Sequence, residues 1–301
     1  MSKTKIAVVY HKDAYLTKNE IFMPICVGNF SLPDANVFCD STGDNISSKN
    51  ATYNEMTAIY WLWKNYDKIG NPDYIGLNHY RRYFIFKGSK YAYFEDETLD
   101  DTIFNKLNYK DGIIEDIFTR YDFVVPMPNK RKSVYYNYKV SHCIEDLDLV
   151  IDIIKKDYKQ FVPAMEKYIN GNSAYFYNMF ILKKDDFFDY CSWIFDIMQQ
   201  FEEKTKYPNE RYFISECLTG IYFTYMQLNG KKAAHLPVLF IKDKKLGFKQ
   251  ARQMCKQNLK NKKMSKLYAY KPLITYFTPN HLLLKRKRKS TLKKKDIFVE
   301  K

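Results

Sequence analysis

Two adjacent arginines close an otherwise apolar run in "YIGLNHYRRYF", residues 74–84. Tyr74, Ile75, Gly76 and Leu77 read as a buried strand, and His79, Tyr80, Arg81, Arg82, Tyr83 and Phe84 follow it. Neighbouring guanidiniums repel each other, so the pair needs anions or solvent around it. Arginine offers a planar fork of donors that matches phosphate oxygens, and its charge persists at any working pH. Paired arginines are more often a solvated face, but a place directly after a buried strand favours a ligand. His79 reads equally well as a site residue or as a hydrogen-bonded core histidine. Glu216, inside "FISECLTG" (213–220), is the other unusual residue. Its neighbours are apolar, so its carboxylate must find a partner or hold a raised pKa. That makes it a candidate general base, with an ion pair to Lys206 or Arg211 as the structural alternative.

The elements that must position these residues alternate along the chain. Short β-branched runs predict strands at 5–10, 21–27, 73–80, 121–127, 175–184 and 235–241. Amphipathic spacing predicts helices at 53–66, at 141–158 with Ser141 as N-cap, and at 185–201. A further helix is expected to begin near Pro208. Tyr60, Trp61 and Trp63 read as core packing. This alternation points to an α/β domain with a largely parallel or mixed sheet, and in such sheets ligands bind outside the carboxyl ends of the strands. Three polar segments fall at such ends: "YHKD" (10–13), "STGDNISSKN" (41–50) and "NHYRRYF" (78–84). Besides His79, Arg81 and Arg82 they offer His11, Lys12, Asp44, Asn45, Ser47 and Asn50, a donor set for phosphate and sugar hydroxyls. Neither GxxxxGK[ST] nor GxGxxG occurs, so a P-loop or dinucleotide-binding turn is not supported.

The net charge of +15 suggests a nucleic-acid binder until it is located. Residues 241–301 hold 20 Lys and Arg against three Asp and Glu, a net +17, which leaves −2 on residues 1–240. A globular part that is nearly neutral does not offer the basic face that nucleic acid requires. The excess instead marks a tail suited to an anionic surface. Within it, "LYAYKPLITYFTPNHLLL" (267–284) is rich in aromatic and aliphatic residues, and "KRKRKSTLKKK" (285–295) is polybasic. Pro272 and Pro279 argue against one continuous helix, so short interfacial pieces on an anionic cytoplasmic leaflet are expected. The six cysteines are scattered without CxxC pairing, which argues against a zinc site and for reduced thiols in a cytosolic protein. The N-terminus has too short an apolar run for a signal peptide, and no stretch is long enough for a transmembrane helix.

Three blocks in order, "DSTGDNISSKNATYNEMTAIYWLWKN" (40–65), "YIGLNHYRRYF" and "YNMFILKKDDFFDYCSWIFDI" (177–197), carry a resemblance. Over roughly residues 5–226 the chain resembles a bacterial family of capsular and exopolysaccharide glycosyltransferases, long catalogued as a domain of unknown function and linked to GT-A-like transferases. Position 54 departs from the family pattern, with Asn54 where Cys is expected. The resemblance implies a GT-A-like nucleotide-binding mixed sheet flanked by helices over 1–245, with 246–301 as the basic tail. It implies transfer of a sugar, from a UDP-sugar such as UDP-galactose, to a lipid-linked glycan in capsular, exopolysaccharide or O-antigen synthesis. The protein would then sit peripherally on the inner face of the cell membrane.

Most such transferases end the strand matching "YIGLNHY" in Asp-x-Asp, which holds Mn²⁺ or Mg²⁺ on the diphosphate. Here that place reads Asn78-His79-Tyr80, so Arg81 and Arg82 would supply the positive charge, although a role for Mn or Mg stays open. The resemblance adds Tyr53 and Glu55 to the donor-binding set. It makes Asn178 an acceptor contact, with His142 and Asp146 facing the acceptor, although a capped polar face is the simpler reading of that i, i+4 pair. In an inverting transfer Glu216 would deprotonate the acceptor hydroxyl. The rivals are a non-catalytic scaffold of polysaccharide assembly and a nucleic-acid-binding protein.

Overall fold

In a computed structural model of the protein, the N-terminal apolar runs form parallel strands β1 (Thr4–Tyr10) and β2 (Phe22–Cys26). The structure describes residues 4–241 except 18, 35, 89–90, 97–98, 101–102, 104–106, 108, 110–111 and 209, together with 248–260, 270–277 and 288–289. Strand β3 (Phe38–Cys39) joins β2 in parallel, and β4 (Tyr74–His79) lies on the other side of β1, also parallel. Residues along β1 alternate between the two faces of the sheet. Ala7 and Val9 enter one core with Ile59 and Leu62, while Ile6, Val8 and Tyr10 enter the other with Tyr83 and Phe84.

After β4 the chain turns into β5 (Arg82–Phe84), and β6 (Tyr91–Asp96) extends the same sheet. Strand β7 (Phe123–Pro126) follows, then β8 (Asn129–Lys130) and β9 (Ser173–Ala174), which pair as a separate ribbon. Strand β10 (Phe180–Lys183) lies antiparallel between β4 and β7, and β11 (Ala233–Leu236) completes the order β3-β2-β1-β4-β10-β7-β11. Strand β12 (Val238–Ile241) pairs with β5 and β6, and β13 (Arg288–Lys289) pairs with β6. The sheet is mixed, as expected. Its chain order reverses between β1 and β4, which is where an open α/β sheet leaves a crevice.

The helices depart from the sequence reading in informative ways. The expected helix over 53–66 is two pieces, α1 (Asn50–Tyr53) and α2 (Met56–Lys64), separated by Asn54 at φ 52°. Asparagine tolerates that left-handed backbone better than most residues. Helix α3 (Ile113–Phe118) precedes β7. The expected helix over 141–158 is α4 (Val134–Ser141) followed by α5 (Ile144–Asp157). Ser141 therefore ends one helix and does not cap the next; the capping serine is Ser133, which accepts from Tyr136 N at 3.0 Å. Helix α6 (Val162–Asn170) precedes β9, and α7 (Lys184–Lys204) matches the helix predicted from 185. Helix α8 begins only at Ile214 (Ile214–Leu228), so Pro208 lies upstream of it, its carbonyl accepting from Tyr212 OH. Pro237 divides the predicted strand at 235–241 because it cannot donate to the ladder. Beyond it stand α9 (Phe248–Lys260) and α10 (Lys271–Phe277); the 285–295 cluster lies outside the described residues except for β13. All six cysteines are free.

Candidate active site

A cleft of about 670 Å³ opens at the carboxyl ends of β1, β2 and β4. His11 follows β1, Asn29 and Phe30 follow β2, and Asn50, Ala51, Asn54 and Glu55 come from the break between α1 and α2. His79, Arg81 and Arg82 come from the β4–β5 turn, and Tyr177, Arg211, Phe213, Ser215 and Glu216 close the far wall. Gly28 sets the corner. It takes φ 63°, and a Cβ there would stand 2.9 Å from Asn50 Oδ1, so only glycine lets α1 approach the end of β2.

Aromatic faces hold the two arginines. Both guanidiniums flank Phe240 of β12, with Arg81 at 5.1 Å and Arg82 at 5.2 Å from the ring centre. Arg81 also lies over Tyr80 at 5.4 Å and Arg82 over Tyr177 at 4.5 Å. Ring faces stabilise the cations without neutralising them. Arg82 forms no ion pair within 4 Å, and its buried Nε has no hydrogen-bond partner among the described residues. Its charge is available to a ligand.

Tyr177 and Asn178, at φ 80° and 50°, form a left-handed turn before β10 that ties the cleft together. The Tyr177 N–H donates to Glu216 Oε1 at 3.1 Å, and its carbonyl accepts from His79 Nε2 at 2.5 Å. The carbonyl can only accept, so Nε2 carries the proton. Burial first, and the charge of Arg82 second, push the His79 pKa down to about 3, so the ring is neutral. Glu216 moves the other way. Burial, and then the neighbouring Glu55 carboxylate, raise its pKa to about 7 against the opposing pull of the Tyr177 N–H and Arg82. Burial also raises the Glu55 pKa, opposed by its backbone contact, Asn178, Arg82 and His11. A carboxyl group that titrates near 7 in a cleft is poised to take a proton.

Residues 5–227 match the family described as Domain of unknown function (DUF4422). The chain belongs to that family. It is also similar to the apo structure of WbbM, a bifunctional glycosyltransferase, with 28% sequence identity and a TM-score of 0.71. The match covers 80% of this chain and 45% of the WbbM chain, so this DUF4422 protein spans less than half the length of that structure. No curated protein matches it. The mixed sheet with its flanking helices is a GT-A-like glycosyltransferase fold.

In the DUF4422 chain the residues at the usual metal position do not suit a divalent ion. Asn78 is buried and does not line the cleft; its Nδ2 donates to Tyr109 OH at 3.3 Å while its uncharged Oδ1 has no hydrogen-bond partner among the described residues, and the adjacent His79 commits its Nε2 to Tyr177. Among the described residues no three His, Cys, Asp or Glu side chains converge as ligands.

The structure brings together His11, Asn50, Glu55, His79, Arg81, Arg82 and Glu216 from the sequence-predicted set. It places the others elsewhere. Asp44 is exposed and accepts from Tyr60 OH, and the Asn45 amide closes a local turn with Gly43 and Ser47. Ser47 is buried beside Asp40, and Lys12 lies over Tyr80 at 5.3 Å. Tyr53 is buried with its hydroxyl on Glu202, lining a different groove. His142 sits between α4 and α5 in extended backbone, so it and Asp146 do not share a helix face. Its ring stacks on Phe213 at 4.4 Å beside a small cavity that also touches Glu216. Asp146 accepts from Thr205 and stays outside the cleft. Neither Lys206 nor Arg211 pairs with Glu216. Sequence reading missed Asn29, Phe30, Tyr177 and Phe213. The "VGNF" (27–30) polar break after β2 was the available signal for the first two.

Asn178, expected at the acceptor, is buried and does not line the cleft. Only 1% exposed, it donates to Glu55 Oε1 at 2.8 Å and Ser215 Oγ at 3.1 Å, and accepts from Thr219 Oγ1 at 2.8 Å. Thr219 in turn meets Tyr190 OH at 2.8 Å. Asn178→Ala removes three buried hydrogen bonds and puts alanine into left-handed backbone, so urea unfolding should show a loss of about 2–4 kcal/mol. Unchanged stability would return Asn178 to the ligand-contacting set.

Proposed function

We propose that this protein is a glycosyltransferase that moves a sugar from a nucleotide-sugar to a hydroxyl of a glycan acceptor. The observation that carries this reading is the convergence of aromatic-held Arg82 and a carboxyl group with a pKa of about 7 in one cleft at the switch point of the sheet. In this reading Arg81 and Arg82 neutralise the diphosphate as the bond between the sugar and its oxygen breaks. Glu216 takes the proton of the acceptor hydroxyl as its oxygen bonds to the anomeric carbon. Displacement of this kind inverts the anomeric centre. Neutral His79 fixes the Tyr177 peptide that aims Glu216. The likeness to WbbM supports glycosyl transfer in general, and the resemblance of the motif blocks supports a UDP-sugar donor and a lipid-linked acceptor in surface-polysaccharide synthesis.

Thermal unfolding against UDP-, GDP-, CMP- and dTDP-sugars tests the proposal, because a ligand held only by the folded state stabilises it by about 2.7 kcal/mol at a hundredfold excess over Kd. The UDP-sugars should raise the melting temperature, and Arg82→Ala should weaken that shift. No shift across the panel would favour a non-catalytic assembly scaffold.

A further inference from the structure

The C-terminal helices leave apolar surface uncovered. Among the described residues nine large hydrophobic side chains are exposed, and six of them lie within 248–277: Phe248, Met254, Leu259, Tyr270, Ile274 and Phe277. Helices α9 and α10 pack together, with Phe248 and Phe277 in edge contact at 6.1 Å, and α9 buries Ala251 and Cys255. The flanks of that seam stay in solvent. Tyr270, just before α10, and Ile274 and Phe277 on it are 45%, 50% and 68% exposed at spacings of four and three, a single stripe. On α9, exposed Arg252 and Lys256 fall within roughly a quarter-turn of Phe248 and Leu259. Exposed apolar residues with cations beside them, as on α9, are the pattern of a helix that lies in a lipid headgroup layer. Among the described residues no helix is long and apolar enough to cross a membrane.

We infer that the α9–α10 hairpin docks on an anionic lipid bilayer, with Phe248, Leu259, Ile274 and Phe277 entering the headgroup layer while Arg252 and Lys256 meet lipid phosphates. Charge selects this occupant. The segment 241–301 carries +17, and each basic residue near an anionic leaflet strengthens binding about fivefold. Beyond the hairpin, basic β13 pairs with β6, which pairs with β12, the strand that supplies Phe240 to the arginine pair. Docking here therefore holds the sheet that carries the cleft at the lipid surface.

Flotation of the full chain with vesicles tests the inference independently of catalysis. The protein should float with vesicles of phosphatidylcholine and phosphatidylglycerol in equal parts, and not with phosphatidylcholine alone. Molar salt should release it. Ile274→Ser with Phe277→Ser should weaken binding about tenfold or more, and Lys256→Gln about fivefold, with circular dichroism unchanged. Equal flotation with neutral vesicles, or unaltered binding by the serine variant, would overturn it. So would absence of flotation together with self-association that the serine variant abolishes, which would make the stripe a contact between copies, or retention by nucleic acid in place of vesicles.

Discussion

Glu216→Gln should lower turnover by roughly 10²–10⁴-fold while nucleotide-sugar binding persists, the usual scale for a lost general base. Glutamine keeps an oxygen to accept from the Tyr177 N–H, so the turn before β10 stays in place and only proton transfer is lost. In the wild type the rate should rise with pH through about 7, as Glu216 gives up its proton, and the variant should lack that limb. Stability supplies a second readout with a fixed sign. The folded pKa lies above the ordinary 4.5, so the folded state resists ionisation and loses stability as pH rises from 4.5 through 7. The variant carries no such cost. It should match the wild type near pH 4 and melt higher above pH 7. Near-normal turnover with an unchanged pH profile would remove Glu216 from the chemistry.

Glu216 was legible in the sequence because a carboxylate in an apolar helix has few explanations. The helix shows why an ion pair stood beside the general base as a structural alternative. The expected cation partners, Lys206 and Arg211, lie nearby in sequence, whereas the group that meets Glu216 is the backbone of Tyr177, 39 residues earlier. Strands β1, β2, β4 and β10 were readable because a buried sheet demands uninterrupted apolar runs. The breaks were not. A helical pattern continues through Asn54, and only its left-handed backbone turns Glu55 into the cleft. A strand pattern likewise runs through Tyr177 and Asn178, whose positive φ values delay the start of β10 to Phe180 and send the Asn178 side chain into the core. The polar loop at 41–50 misled for a related reason. Its Asp, Asn and Ser residues satisfy their own turns and the buried Asp40 corner, and of them only Asn50 reaches the cleft.

The arginine pair carries the remaining large effect. Arg82→Ala should lower turnover by roughly 10²-fold or more, the scale seen when one preorganised electrostatic stabiliser is removed. Arg81→Ala should fall in the same direction, because both guanidiniums share the Phe240 ring and line the same wall. The loss belongs to the transition state, where negative charge builds on the departing diphosphate. Lysine at position 82 should rescue only in part: a point charge lacks the bidentate fork, and an ammonium stacks less well over Tyr177 than a planar guanidinium does. If the arginines replace the cation that Asp-x-Asp would hold, activity should persist in EDTA, since that place carries no carboxylate and His79 Nε2 is committed to Tyr177. The two experiments are read together. Complete loss of activity in EDTA, reversed by Mn²⁺, with near-normal turnover of both alanine variants would assign the diphosphate to a metal. Arg81 and Arg82 would then serve only to pack Phe240 and Tyr177 at the strand end.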